Sequence, residues 1–276
     1  MPAQTISLHQ AADRLGVHYM TAYRYVRTGR LQATQERGQW RVDPADLRAV
    51  LASAGKAGRL GAVRPANARS EVSRRLADRL VKGDEPGSWA IVEEALARGA
   101  TPEEVVVDAV GAAMRSIGER WQIGELTVDD EHCASAVVSR LIARLGPLSA
   151  RRGAKRGTVV IGTPPRERHA LPTALATNVL RGRGFEVVDL GADLPIDAFA
   201  TAVAKAGRPL AAAIGVTSGN HDRDVRAMAR AVEELTPGVP VLVGGAGIAG
   251  AAHAARLGVR WAGGDARALV AAVESA

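Results

Sequence analysis

The chain has 276 residues, a net charge of +7 and a single cysteine, Cys133. That length has room for two or three small domains, each able to bury a core. One cysteine excludes an intrachain disulfide framework and any multi-cysteine metal site. No run approaches the roughly 18 apolar residues of a membrane span, and the first thirty residues lack a signal-peptide core, so a cytoplasmic protein is expected. The charge is unevenly placed: residues 1–68 hold ten Arg and Lys against four acids, or +6, and the other 208 carry only +1. A basic N-terminal piece suits a partner with a phosphate backbone.

In that piece Ser7 can cap a helix in which Leu8, Ala11, Ala12 and Leu15 recur at helical spacing before Gly16 ends it. Residues 18–28 read as a second helix closed by Gly29, with Ala22, Tyr25 and Val26 inward and His18, Tyr19, Thr21, Arg24 and Arg27 outward. Two helices about a short Gly-containing turn form a helix-turn-helix, whose second helix enters the major groove. Residues 31–42 follow as two extended runs about Gly38, a β-wing that carries Arg37 and Arg41 and is packed by Trp40. Asp43 and Pro44 then open a closing helix with Leu47 and Val50 inward. Residues 1–52 thus read as a winged helix-turn-helix. In Ala22-Tyr-Arg-Tyr-Val-Arg-Thr-Gly-Arg-Leu31 they resemble the excisionase-like branch of DNA-binding domains, close kin of the MerR type. The expected partner is double-stranded operator DNA.

Residues 53–68, rich in Gly, Ala and Arg without periodicity, read as a linker. Helical patterns then cover 70–82, 87–98, 102–120 and 127–145, with Thr101, Pro102 and Glu104 forming a capping box. Four helices with short connections predict a four-helix bundle over 69–148. At its third junction stand Trp121 and, after nine intervening residues, Glu131-His132. A Trp at a helix end offers a flat apolar plate, and Glu-His offers hydrogen bonds beside it. Taken alone, the three also fit a buried Trp next to an exposed polar pair.

From 156 to 276 the pattern alternates. Buried strands at 158–162, 186–190, 211–216 and 239–243 and a shorter one at 259–262 are separated by helical stretches at 173–183, 196–205 and 221–235, with a last helix at 266–274. This predicts an α/β doubly wound parallel sheet of the flavodoxin or Rossmann kind, which binds ligands at the carboxyl ends of its strands. The loop after the first strand carries Glu167 and His169, a spacing at which a carboxylate can orient a metal-ligating imidazole. Gly244-Gly245 after the fourth strand allows a bulky ligand to approach the backbone.

Glu167-x-His169, the run Leu190-Gly-Ala-Asp-Leu-Pro195 and Gly244-Gly245 resemble the cobalamin-binding domain in which His replaces the nucleotide's own base on cobalt. With Trp-x9-Glu-His in the bundle and a DNA-binding domain in front, nearly the whole chain resembles the CarH/LitR-type adenosylcobalamin photoreceptor regulators. The resemblance implies that His169 is the lower axial ligand of cobalt and Glu167 its orienting partner. It implies that Trp121 covers the upper face, with Glu131 and His132 beside the adenosyl group, and that Thr217 contacts the lower nucleotide. It further implies a tetramer that represses its promoter in the dark and releases it when light breaks the cobalt-carbon bond. The chain departs from the family at Gln122, where some members carry His, at Pro172, where the usual residue is Gly, and at Thr217, where many have Ser. A non-enzymatic regulator is expected; a cobalamin sensor without photochemistry and a corrinoid carrier of a methyltransferase or mutase are the alternatives.

Overall fold

The computed structural model describes residues 5–15, 22, 25–26, 31–36, 39–50, 66–151 and 153–276. They divide into two compact units, Met1–Arg64 and Pro65–Ala276.

In the first unit the strand Ile6–Ser7 leads into the helix Leu8–Leu15, and strands Ala33–Glu36 and Gln39–Val42 complete a three-stranded antiparallel sheet. Ser7 Oγ accepts the Gln10 amide at 3.2 Å while Gln10 returns its side-chain oxygen to the Ser7 amide, so the predicted cap forms. Asp43 accepts the Ala45 amide at 2.7 Å where residues 44–50 turn helical. Leu8, Ala11, Ala12, Ala22, Leu31, Val42, Leu47 and Val50 are buried together, with Tyr25, Val26 and Trp40 packed on them. Val42 of the central strand belongs to this core, so Arg41, on the alternate face, points away from it. Of the seven DNA-contact candidates only Arg41 is described; His18, Tyr19, Thr21, Arg24, Arg27 and Arg37 lie outside the described residues.

The second unit starts with four helices. Helix α1 (Ala66–Leu80) begins directly after Pro65, inside the segment read as linker, because Ala66 and Ala68 are strong helix formers. Helix α2 (Glu85–Ala97) is capped by Asp84. The third rod, α3 (102–122), runs from Pro102–Glu104 through a π-helical stretch, Val105–Gly111, into Ala112–Gln122. Its β-branched run Val105-Val106-Val107 is stiff at χ1 and tolerates the wider turn because these side chains are buried. Helix α4 (Val128–Ser149) starts at a capping box between Thr127 and Asp130 that the sequence reading overlooked.

The α/β part follows: β1 (Thr158–Gly162), α5 (Leu171–Gly182), β2 (Glu186–Asp189), α6 (Ile196–Lys205), β3 (Pro209–Gly215), α7 (Asp222–Leu235), β4 (Val241–Gly244), α8 (Ala251–Leu257), β5 (Arg260–Trp261) and α9 (Ala266–Glu274). Helix α8 is absent from the sequence reading. Its seven residues follow a Gly-rich loop and are too few to show a helical repeat. All strand pairs are parallel, in the order β2-β1-β3-β4-β5. This is the flavodoxin-like arrangement, with its switch point between β1 and β3.

Alternation along the strands sorts the two faces. Val159, Ile161, Ala211 and Ala213 join a core with α5, α9 and the helical layer, whereas Val160, Ala212 and Ile214 face α6, α7 and α8. Ion pairs add to the first interface: Arg267 on α9 bonds Asp108 of the π-helical stretch at 2.6 and 3.0 Å and Glu103 at 3.1 Å. We expect Arg267→Ala to cost about 1–2 kcal/mol, since it removes both of these bonds to Asp108 and the one to Glu103, which keeps Arg183. Chemical denaturation monitored by circular dichroism should show the loss, and 1 M salt should narrow the gap from wild type.

The packing of α4 on α5 decides what lies above the sheet. A Cβ on Gly146 would sit 3.5 Å from Asn178 Oδ1, and one on Gly182 would sit 3.2 Å from the Ser149 carbonyl. The two helices therefore run in the same direction, offset by 32 to 33 residues. Leu171, at the carboxyl edge of the sheet, is then level with about residue 139, and the first turns of α4 overhang that edge by about 16 Å at 1.5 Å per residue.

Candidate functional site

The loops after β1 and β3 meet at the switch point, where such a sheet opens a crevice. The loop after β1 is tightly braced. Thr163 Oγ1 donates to the Glu167 carbonyl at 2.7 Å and accepts the Asp193 amide at 3.0 Å, while the Asp193 carboxylate takes the Arg166 amide at 2.6 Å. Arg166 and Asp193 both adopt left-handed backbone, with φ of 66° and 56°. For non-glycine residues such conformations persist only where surrounding bonds over-determine them. The outcome is that Glu167 turns inward.

Glu167 is completely buried. Its Oε1 accepts the His169 amide at 3.1 Å and His169 Nδ1–H at 2.5 Å. Its Oε2 accepts the amides of Thr217 and Ser218 at 2.9 and 2.7 Å and the Ser218 hydroxyl at 2.9 Å. Burial by itself pushes this carboxyl upward, but the Ser218 amide, the two His169 donors and the Thr217 amide together outweigh it and hold its pKa at about 2. Glu167 is thus a fixed anion and an acceptor only. It holds the proton of His169 on Nδ1 and leaves the Nε2 lone pair on a ring that is 55% exposed. An imidazole so oriented is prepared to ligate a metal through Nε2. Among the described residues no three His, Cys, Asp or Glu side chains converge into a metal cage. A metal already held by a macrocycle needs only one such nitrogen.

The carboxyl ends of β1, β3 and β4 border a mainly apolar cleft of about 100 Å³, walled by Pro172, Thr173, Gly215, Val216, Gly244 and Gly245. Gly245 has φ of 106°, and a Cβ there would stand 2.2 Å from the Val216 carbonyl, so no other residue fits the wall. Pro172 occupies the first turn of α5, where its missing amide is no loss. The cradle and the free Nε2 of His169 fit a corrinoid with an extended tail.

Trp121, Glu131 and His132 lie elsewhere in the same unit. Trp121 ends α3 and is 45% exposed, and Glu131 and His132 are in the overhanging first turns of α4. His132 Nδ1–H donates to the Val128 carbonyl at 2.8 Å, and Ser135 Oγ donates to Glu131 at 2.7 Å. By the α4–α5 offset, His132 stands about 10 Å beyond the level of Leu171 along the helix direction. These residues therefore rise past the edge of the sheet on which His169 sits.

Ser218 and the Thr217 amide were not found from sequence. Thr217 meets Glu167 through its backbone amide, and Ser218 adds both its amide and its hydroxyl to the same carboxylate. The polar run Thr217-Ser-Gly-Asn-His-Asp222, directly after a buried strand, was the available signal.

Residues 72–145 and 157–273 match two families described as B12 binding domain, and residues 6–55 match a family described as helix-turn-helix domain. The chain is 31% identical over 134 residues to trimethylamine corrinoid protein 1 of Methanosarcina acetivorans, a match over 48% of this chain and 62% of that protein. It is 30% identical over 151 residues to dimethylamine corrinoid protein 3 of the same organism, over 52% of this chain and 69% of that protein. Against the structure of the monomethylamine corrinoid protein of Methanosarcina barkeri the TM-score is 0.63 at 20% identity, over 75% of this chain and 99% of the other. That last likeness concerns the fold.

Proposed function

This chain belongs to the corrinoid-protein family built on B12 binding domains, and from that premise we propose that it is a light-responsive, adenosylcobalamin-dependent transcriptional repressor. The observation that carries this reading is the presence of a helix-turn-helix family match and a basic N-terminal unit in the same chain as the His169 site.

In this reading His169 Nε2 would hold the cobalt, Glu167 keeps the His169 proton on Nδ1, and the cleft at Gly244 and Gly245 would receive the corrinoid tail. Trp121, Glu131 and His132 would pack against the adenosyl group. Adenosylcobalamin supplies a cobalt-carbon bond that visible light can break. Loss of the adenosyl group would leave Trp121, Glu131 and His132 without that contact, and a change in the overhanging end of α4 would follow, coupling light to assembly of a tetramer. The protein works in the cytoplasm, without catalysis, and Tyr19, Arg24, Arg27 and Arg41 are among the residues that would touch operator DNA.

A second reading is supported by the curated relatives, which are corrinoid proteins named for trimethylamine and dimethylamine. In it the chain carries a corrinoid for a methyltransferase. Electrophoretic mobility shift against fragments of the chain's own promoter region, with adenosylcobalamin in darkness and again after green light, separates the readings. Retardation that needs the cofactor and disappears on illumination is expected. Equal retardation in dark and light would sink the photochemistry and leave a cobalamin sensor, and no retardation under any condition would favour the carrier.

A further inference from the structure

Behind Ser218 lies a residue for which the corrinoid reading has no use. His221, at the start of α7, is 7% exposed, and its Nε2 lies 3.0 Å from Ser218 Oγ and 3.8 Å from Glu167 Oε2. The direction of this contact follows from the acceptor at its end. Glu167 Oε2 already receives the Thr217 and Ser218 amides, and Oε1 the two His169 donors, so this carboxylate accepts and the Ser218 hydroxyl gives it its proton. The Ser218 oxygen then has only lone pairs left, and the group facing it must be a donor. His221 therefore carries a proton on Nε2. A single-direction chain results, from His221 Nε2–H to Ser218 Oγ–H to Glu167 Oε2, while Oε1 receives His169 Nδ1–H.

The rest of the His221 environment serves the same geometry. Its Nδ1 is buried without a hydrogen-bond partner, 3.9 Å from Asp224 Oδ2. Asp224 is itself held by Arg166 at 2.7 Å, and Arg166 is the neighbour of Glu167 in the chain. The loop after β1 and the start of α7 are thus tied at two points. An imidazole kept with one nitrogen unpaired in a buried place costs free energy, and such a cost is tolerated where the other nitrogen has a task.

We propose that His221 is a positioning residue for the His169 site: it fixes the rotor of the Ser218 hydroxyl on Glu167, and through Glu167 it fixes the orientation of the His169 ring. The proposal rests on His169 being the cobalt ligand. It predicts that His221→Phe, which keeps the ring volume and loses the donor, weakens corrinoid binding about three- to tenfold, below the 10- to 100-fold typical for a direct partner of a metal-bound histidine. His221→Gln, which can place an N–H near the same point, should restore most of the loss. Ser218→Ala should weaken binding at least as much as His221→Phe, and the double variant should be no weaker than Ser218→Ala alone.

The test uses full-length protein labelled with 15N-histidine and loaded with cob(II)alamin. An axial nitrogen from the protein then splits the EPR lines in two, whereas the corrinoid's own 14N base splits them in three. Wild type should show the two-line pattern, His221→Phe a reduced share of it, and His221→Gln a share close to wild type. A two-line pattern and an affinity unchanged in His221→Phe would overturn the proposal. If His221→Phe does not fold, Ser218→Ala decides, because wild-type binding there would leave His221 no route to His169. The His169→Ala control separates this failure from that of the underlying reading: a two-line pattern that survives in His169→Ala removes His169 as ligand altogether.

Discussion

His169→Ala protein mixed with cobalamin is expected to lose the protein nitrogen on cobalt and to bind the corrinoid at least 10- to 100-fold more weakly. Glu167 takes the Nδ1 proton at 2.5 Å, so Nε2 is left as a lone pair on a half-exposed ring at the sheet's switch point. Alanine removes that pair and also one of the five donors on the buried Glu167 carboxylate, although the ring itself does not fill a core. Stability of the cofactor-free protein should fall by about 1–2 kcal/mol, the usual cost of one lost donor on a buried charged group, since the other four donors remain on Glu167. Isothermal titration and the visible spectrum of the bound corrinoid check both halves. Unchanged affinity together with an unchanged spectrum would mean that the corrinoid sits elsewhere or keeps its own base.

Glu167→Ala is expected to harm the protein itself more, before any cofactor is added. Five donors converge on this buried carboxylate, and alanine would leave them facing a cavity. Removing one side of a buried charged network costs about 3–5 kcal/mol. The same group makes stability depend on pH. Its folded-state pKa of about 2 lies below its ordinary 4.5, so the ionised form is favoured in the native state. That difference corresponds to about 3 kcal/mol, fully present above pH 4.5 and lost progressively as pH falls towards 2. Denaturant midpoints of the cofactor-free wild type between pH 6 and pH 3 should fall steeply, and the slope should flatten in Glu167→Gln. An equal slope in both proteins would assign the acid sensitivity to other carboxylates. Glu103 is one such group, held below its usual range chiefly by hydrogen bonding to Arg183 and then to Arg267.

Much of this architecture could be read from local pattern. Strands such as Thr158–Gly162 are continuous apolar runs because both faces of a parallel sheet are covered, and a run of that kind is visible without any partner. The capping box at Thr101 and Glu104 is equally local, since its two hydrogen bonds span three residues. Helix α8 and the π-helical stretch were missed because the first is too short to show a repeat and the second keeps the composition of an ordinary helix. Within the site, Glu167 and His169 were legible because a single residue separates them. Ser218 and His221 were not, because they stand about fifty residues away and reach Glu167 only after β3 has been placed beside β1.

By itself the sequence determined the order of elements, the basic N-terminal piece, and the presence of a carboxylate two residues before a histidine at a strand end. Periodicity, capping and charge are local quantities, so they survive without knowledge of the fold. Only the tertiary structure decided that Glu167 turns inward, that five donors saturate it, and that the start of α4 overhangs the edge of the sheet. Those outcomes depend on which strands become neighbours and on the direction in which two helices pack. Strand order and helix direction are set by how the apolar faces of the whole unit are buried together, a property that no single segment carries.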